Sequence, residues 1–190
     1  IAADGSKIIL PKSLDVAEEF GTIPIIGNGM NDFYCSALFE CYYDVLNHIA
    51  IGSILAPGRS YEVNLATQLL DSTHENDLHI YDRHYASYEF LATLTQRHKN
   101  YLIRCPYRSF KEINSLVRDT QNWSKVVVLC APKSQRNAMK EKGLPLEITV
   151  RFISVILSTG ELEILVTSLM DSSIERQEFR WLYGKRWEIE

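Results

Sequence analysis

The sequence predicts an α/β fold: a mixed sheet flanked by helices, with a β-rich insertion before the last helix. Three observations carry this expectation. Three β-rich runs open the chain, Ile1 to Pro11, Ala37 to Tyr43 and His48 to Leu55, and the last two are close enough to form a hairpin. Two short apolar runs, Leu78 to Tyr81 and Tyr101 to Arg104, are then separated by a helical pattern, as parallel neighbours in one sheet would be. Long strand runs return at Glu147 to Leu157 and Glu161 to Thr167, just ahead of a final amphipathic helix.

In the first run Asp4 follows two alanines inside a strand pattern, where an acid is disfavoured unless something requires it. The alternative is a turn aspartate before Gly5. Asp15 to Phe20 suits a short helical turn, and Gly21 to Asn31 is a loop punctuated by Gly and Pro. After Pro57-Gly58-Arg59, Ser60 is placed to cap a helix running to Leu70, with Tyr61, Leu65, Ala66, Leu69 and Leu70 on its apolar face. Glu62 near the start of that helix suits its dipole. The run ending at Tyr81 is followed by Asp82-Arg83-His84-Tyr85-Ala86-Ser87 and a helix to Arg97 with Phe90, Leu91 and Leu94 inward. Asp82 therefore stands at the carboxyl end of a strand, where open α/β sheets bind their ligands. Cys105 to Thr167 reads as the β-rich insertion. Within it Lys133, Arg136, Lys140 and Lys142 fall in a loop, either a solvated segment or a basic patch facing nucleic acid. The final helix begins near Ser172 or Ser173. On it Tyr183, Arg186 and Glu190 share one face at i, i+3 and i+7. Taken alone, that face is a buried ring below an Arg186–Glu190 ion pair.

The 190 residues suit one domain with a sizeable core, 46% hydrophobic and 23% charged. A formal net charge of -4 argues against a module that holds nucleic acid by charge alone. It leaves room for an enzyme whose carboxylates are neutralised by metal. Cys35, Cys41, Cys105 and Cys130 form no CxxC pair and have no zinc spacing, so reduced thiols in a cytoplasmic protein are expected. No apolar run reaches the ~18 residues of a membrane span. Opening on Ile1 rather than methionine, the chain reads as a fragment of a longer polypeptide.

The order of elements suits a ribonuclease H-like fold, and three segments make a resemblance specific. Ala3-Asp4-Gly5-Ser6 resembles the first-strand DGS segment of DDE transposases. Asp82-Arg83-His84-Tyr85, with Ser87, resembles their DRGY segment with its following serine; His84 stands where glycine is usual. Tyr183, Arg186 and Glu190 match Y-x2-R-x3-E, part of the signature of the insertion-sequence family 4 group. The signature's lysine falls seven residues past Glu190, beyond this chain. The resemblance covers essentially the whole of residues 1–190, with 105–167 as the group's β-rich insertion.

That resemblance implies strand cleavage and strand transfer at transposon ends, in-line displacements at phosphorus by water and then by a DNA 3′-hydroxyl. It implies two Mg²⁺ ions, or Mn²⁺ as a substitute, about 3.5–4 Å apart and held by hard oxygen ligands. Asp4, Asp82 and Glu190 would be the catalytic and metal-binding acids. Tyr183 and Arg186 would grip DNA phosphates, with Arg83 and Arg104 as further candidates. The partner would be double-stranded DNA, bound by a dimer through parts not all in this chain, with no membrane and no nucleotide cofactor. Two other readings share the fold: a metal-dependent nuclease or resolvase, and a decayed transposase kept as a DNA-binding module.

Overall fold

The computed structural model describes residues 1–25, 32–119, 121–157 and 160–189. Among these residues nine strands form one sheet: β1 (Ala2–Leu10), β2 (Ile23–Pro24), β3 (Phe33–Asp44), β4 (Ile49–Pro57), β5 (Leu78–Tyr81), β6 (Asn100–Cys105), β7 (Ser124–Cys130), β8 (Glu147–Ile156) and β9 (Leu162–Thr167). Their order is β2-β3-β1-β5-β6-β9-β8-β7, with β4 paired to β3. Strands β1, β3 and β4 are antiparallel, whereas β1, β5 and β6 run parallel. The fold class read from the sequence is the one observed. Asp4 and Gly5 lie inside β1, opposite Cys41 and Glu40 of β3, which removes the turn alternative for Asp4.

Six helices cover the sheet: α1 (Leu14–Phe20), α2 (Glu62–Leu69), α3 (Tyr88–Gln96), α4 (Ile113–Arg118), α5 (Arg136–Glu141) and α6 (Arg176–Gly184). Alternate residues of the central strands face opposite sides. Ala3, Tyr42, Tyr81, Tyr101 and Ile103 pack with α2 and α3 on one face. Ile80, Leu102 and Leu165 pack with Phe179 and Tyr183 of α6 on the other. Coverage on both faces explains why β5 and β6 read as continuous apolar runs rather than alternating ones. Helix α3 starts where its sequence signal says, with the Ser87 hydroxyl accepting from the Phe90 amide.

Several boundaries differ from expectation. The cap of α2 is Tyr61, not Ser60, and no side chain caps it. Tyr61 is exposed, and Val63 takes the buried place beside Leu65, Ala66 and Leu69. The basic residues from Lys133 to Lys140 lie on a 3-10 turn and α5 rather than a loop, anchored by the buried Met139. Strand β9 pairs antiparallel with β6, so β7, β8 and β9 extend the central sheet, and α4 and α5 are interleaved with them. Residues 26–31 of the expected loop and Ser158 and Thr159 of the expected turn lie outside the described residues.

Helix α6 starts at Arg176, later than expected, behind a capping box formed by Glu175 and Glu178. Its approach is held by Arg151, which is buried between the Trp123 and Phe179 rings and donates to the Asp171 carbonyl at 2.7 Å. On the opposite face, the Tyr42 hydroxyl donates to the Ala66 carbonyl at 2.7 Å and meets the Tyr81 hydroxyl at 2.6 Å. This ties β3 and β5 to α2. Tyr42→Phe removes both bonds and leaves two buried oxygens short of a partner, whereas Tyr81→Phe removes one. In urea unfolding Tyr42→Phe should cost about 1–3 kcal/mol, and more than Tyr81→Phe.

Candidate active site

Ala2 of β1 pairs in parallel register with Ile80 of β5. Two residues further along each chain stand Asp4, inside β1, and Asp82, just past the end of β5, so both acids lie at one level of these neighbouring strands and toward the same face. Ile80 packs under α6 while Tyr81 packs under α3, which makes that face the α6 side. Both carboxylates remain partly open to solvent. Asp82 ends β5 and caps the turn Arg83–Tyr85: one oxygen accepts from the His84 amide at 2.7 Å, the other lies 3.1 Å from His84 Nδ1. The imidazole in the place of the family's glycine thus braces the acid.

The last helix departs from its expected geometry. It is α-helical to Gly184, then tightens into a 3-10 segment over Lys185–Ile189. A 3-10 turn has three residues per turn, so the i, i+3, i+7 face does not continue as an α-helical stripe. Tyr183 is 5% exposed and lies within the core beside Phe179, with burial pushing its hydroxyl up to about 12. Arg186 is 4% exposed; its Nη1 lies 3.6 Å from Asp4 Oδ1, and its guanidinium lies over the Trp187 ring. Both residues expected to grip phosphate therefore point inward, the arginine onto an expected metal ligand. Glu190 lies outside the described residues.

Arg83 and Arg104 line a cleft of about 760 Å³ beside Asp82, together with His84, Tyr107, Glu161 and Glu163. Arg83 is exposed there, while Arg104 forms an ion pair with the buried Glu163. Lys133, Arg136, Lys140 and Lys142 are exposed; Arg136 donates to the Ala131 carbonyl and Lys142 pairs with Glu89.

Two further acids escaped the sequence reading. Glu40 of β3 is fully buried, and Glu62 opens α2. The Tyr85 hydroxyl donates to Glu40 Oε1 at 2.8 Å. A Cβ on Gly5 would sit 2.8 Å from Glu40 Oε2 and 2.1 Å from Glu62 Oε1, so the two carboxyl groups converge on the space beside this glycine. Gly5 and Glu40 are register partners, which places this pair on the α2 side of β1, behind Asp4. The signal for Glu40 was legible: a lone acid inside the apolar run from Cys35 to Tyr43. Glu62 had an adequate explanation in the helix dipole, which concealed it.

Among the described residues, no group of three His, Cys, Asp or Glu side chains is arranged to hold a metal. Asp4 and Asp82 are nonetheless donors of the kind a hard divalent ion takes, two carboxylates on one face of neighbouring strands with a buried cation already drawn to Asp4. Burial, followed by the nearby charges of Glu62, Asp4 and Asp82, raises the Glu40 carboxyl from its ordinary 4.5 to about 8. Glu62 is raised too, first by burial and then by Asp82. The folded protein therefore keeps a proton on Glu40 that the unfolded chain releases over that interval. This contribution is complete below the unfolded value of 4.5 and is lost as pH rises through about 8. Metal-free protein should lose stability across that window in urea titrations, and Glu40→Gln should flatten the dependence.

Residues 40–190 match the model of the transposase DDE domain family; Asp4 precedes the matched segment. The chain is 27% identical over 160 residues to Transposase InsG for insertion sequence element IS4 of Escherichia coli (strain K12). That alignment takes in 83% of this chain and 35% of the relative, so the chain spans about a third of its length. The fold is similar to that of piggyBac transposase in a synaptic complex with hairpin DNA, with a TM-score of 0.56 and 11% identity, over 99% of this chain and 38% of that one. The chain belongs to the DDE transposase family, in the group of the IS4 element.

Proposed function

We propose that this chain is the catalytic domain of a cut-and-paste transposase that cleaves and joins DNA strands at transposon ends. The observation that carries the reading is the placement of Asp4 and Asp82 at one level and on one face of adjacent parallel strands, with Arg186 from the end of the last helix docked on Asp4. Asp4, Asp82 and Glu190 would hold Mg²⁺, or Mn²⁺ in its place. Bound there, the metal would supply an activated nucleophile and charge stabilisation for the leaving oxygen.

The chain's own residues then have defined tasks. The His84 amide and ring hold the Asp82 carboxylate in one rotamer. Arg186 offsets the charge of Asp4 before metal arrives and afterwards turns its guanidinium toward a phosphate oxygen of the transposon end. Tyr183 serves DNA binding indirectly, as the buried ring that seats the helix end carrying Arg186. Arg83 and Arg104 orient phosphates along the cleft below Asp82. The protein acts in the cytoplasm on double-stranded DNA, as a dimer completed by regions of the transposase beyond residues 1–190.

In the full-length transposase, Asp4→Asn, Asp82→Asn and Glu190→Gln should each abolish strand cleavage and 3′-end joining while DNA binding persists. Cleavage that survives all three substitutions would sink the assignment. Nicking without end joining in the unsubstituted protein would make it a nuclease on the same fold. Absence of Mg²⁺ or Mn²⁺ binding by calorimetry would make it a decayed DNA-binding module.

A further inference from the structure

We propose that Glu40 is a positioning residue of the catalytic centre, holding Asp82 through Tyr85 and bracing β1 from behind through the space left by Gly5. The inference rests on the reading of Asp4 and Asp82 as metal-binding acids and adds a residue on the far side of their strand.

Asp82 is set by the short turn that follows it, and that turn ends on Tyr85. Tyr85 is 1% exposed, packed against Tyr81 and Phe90 with ring centroids 5.0 and 5.7 Å away. Its ring fixes the turn in the core, and its hydroxyl reaches Glu40 Oε1 on β3. A rigid path therefore runs from β3 through Glu40 and Tyr85 to the turn that Asp82 caps.

The other Glu40 oxygen is buried, has no hydrogen-bond partner among the described residues, and lies where a Cβ on Gly5 would come within 2.8 Å of it. Glu62 Oε1 meets it there from α2. Glu40 of β3 and Glu62 of α2 thus meet at Gly5, the residue that follows Asp4 on β1. A buried carboxyl facing a second acid is unfavourable as core packing, and an apolar residue at position 40 would avoid the desolvation. What an apolar residue cannot do is accept the Tyr85 hydrogen bond. Residues that orient metal-binding side chains from behind commonly change metal affinity or activity by about 10–100-fold when removed.

The test uses the full-length transposase bound to a transposon-end duplex, with Mn²⁺ as the probe. Glu40→Gln keeps an acceptor for Tyr85 and offers an amide to Glu62; Glu40→Ala removes both. Tyr85→Phe breaks the same link from the other end with little change in packing. Expected is a rise of about tenfold or more in the Mn²⁺ dissociation constant, and in the Mn²⁺ needed for half-maximal cleavage, for Glu40→Ala and Tyr85→Phe. DNA affinity should be unchanged, and Glu40→Gln should stay within about threefold of the unsubstituted protein, well inside that range. Unchanged Mn²⁺ binding in Tyr85→Phe overturns the proposal, and this variant decides alone if Glu40→Ala does not fold. Glu40→Gln as inactive as Asp82→Asn also overturns it, because Glu40 would then act as an ionised ligand. An active Asp82→Asn control would instead bring down the reading of the site itself.

Discussion

The parallel pairing of β1 with β5, Ala2 opposite Ile80, is the constraint from which the rest of the site follows. One residue of slip would turn every side chain of β1 to the opposite face and separate Asp4 from Asp82. The register is held by burial on both sides of the sheet. Ala3 packs with Tyr42, Val63 and Ala66 on the α2 face, and Ile80 packs with Phe179 and Tyr183 on the α6 face. Small residues at the start of β1 allow Tyr42 and Tyr81 to meet through their hydroxyls, and that contact locks β3 and β5 at a common level.

The two faces of β1 carry two different electrostatic solutions. Toward α6, the charge of Asp4 is met by a buried guanidinium, and Asp82 is capped by the backbone it precedes. Toward α2, Glu40 and Glu62 face each other with no cation between them among the described contacts, and burial favours the neutral form of each. Gly5 separates the two arrangements, and a side chain there would have to displace the ends of the carboxyl pair. The glycine of the DGS segment leaves room for both carboxyl ends, and β1 is extended throughout, so no unusual backbone conformation is involved.

Much of this was legible from particular residues. Asp4 after two alanines and Asp82 at the end of an apolar run declared themselves, because an acid within or just past a buried strand needs a reason. The helix-and-strand alternation from Glu62 to Cys105 was readable because α3 carries both a serine cap and a regular apolar stripe. The extent of the sheet was not readable. Strands β7, β8 and β9 have local signals, but nothing local reveals that β9 returns to pair with β6 rather than closing a unit of its own. Helix α6 was placed too early because Ser172 and Ser173 are good caps in isolation, whereas a reciprocal pair of glutamates caps it instead.

Residue order alone determined the chemistry on offer: one acid inside the first strand and one at a strand end, an arginine and a tyrosine near the last residue, and a family signature linking them. Tertiary structure decided what each does in the ligand-free protein. Tyr183 and Arg186 are one 3-10 turn apart at a helix end pressed onto β1, so the ring enters the core and the guanidinium meets Asp4. Glu40 and Glu62 lie 22 positions apart in sequence and become neighbours across Gly5. Periodicity says which face of its own element a side chain takes. Which other element stands opposite depends on strand register and helix docking, and those are set by burial summed over the whole sheet.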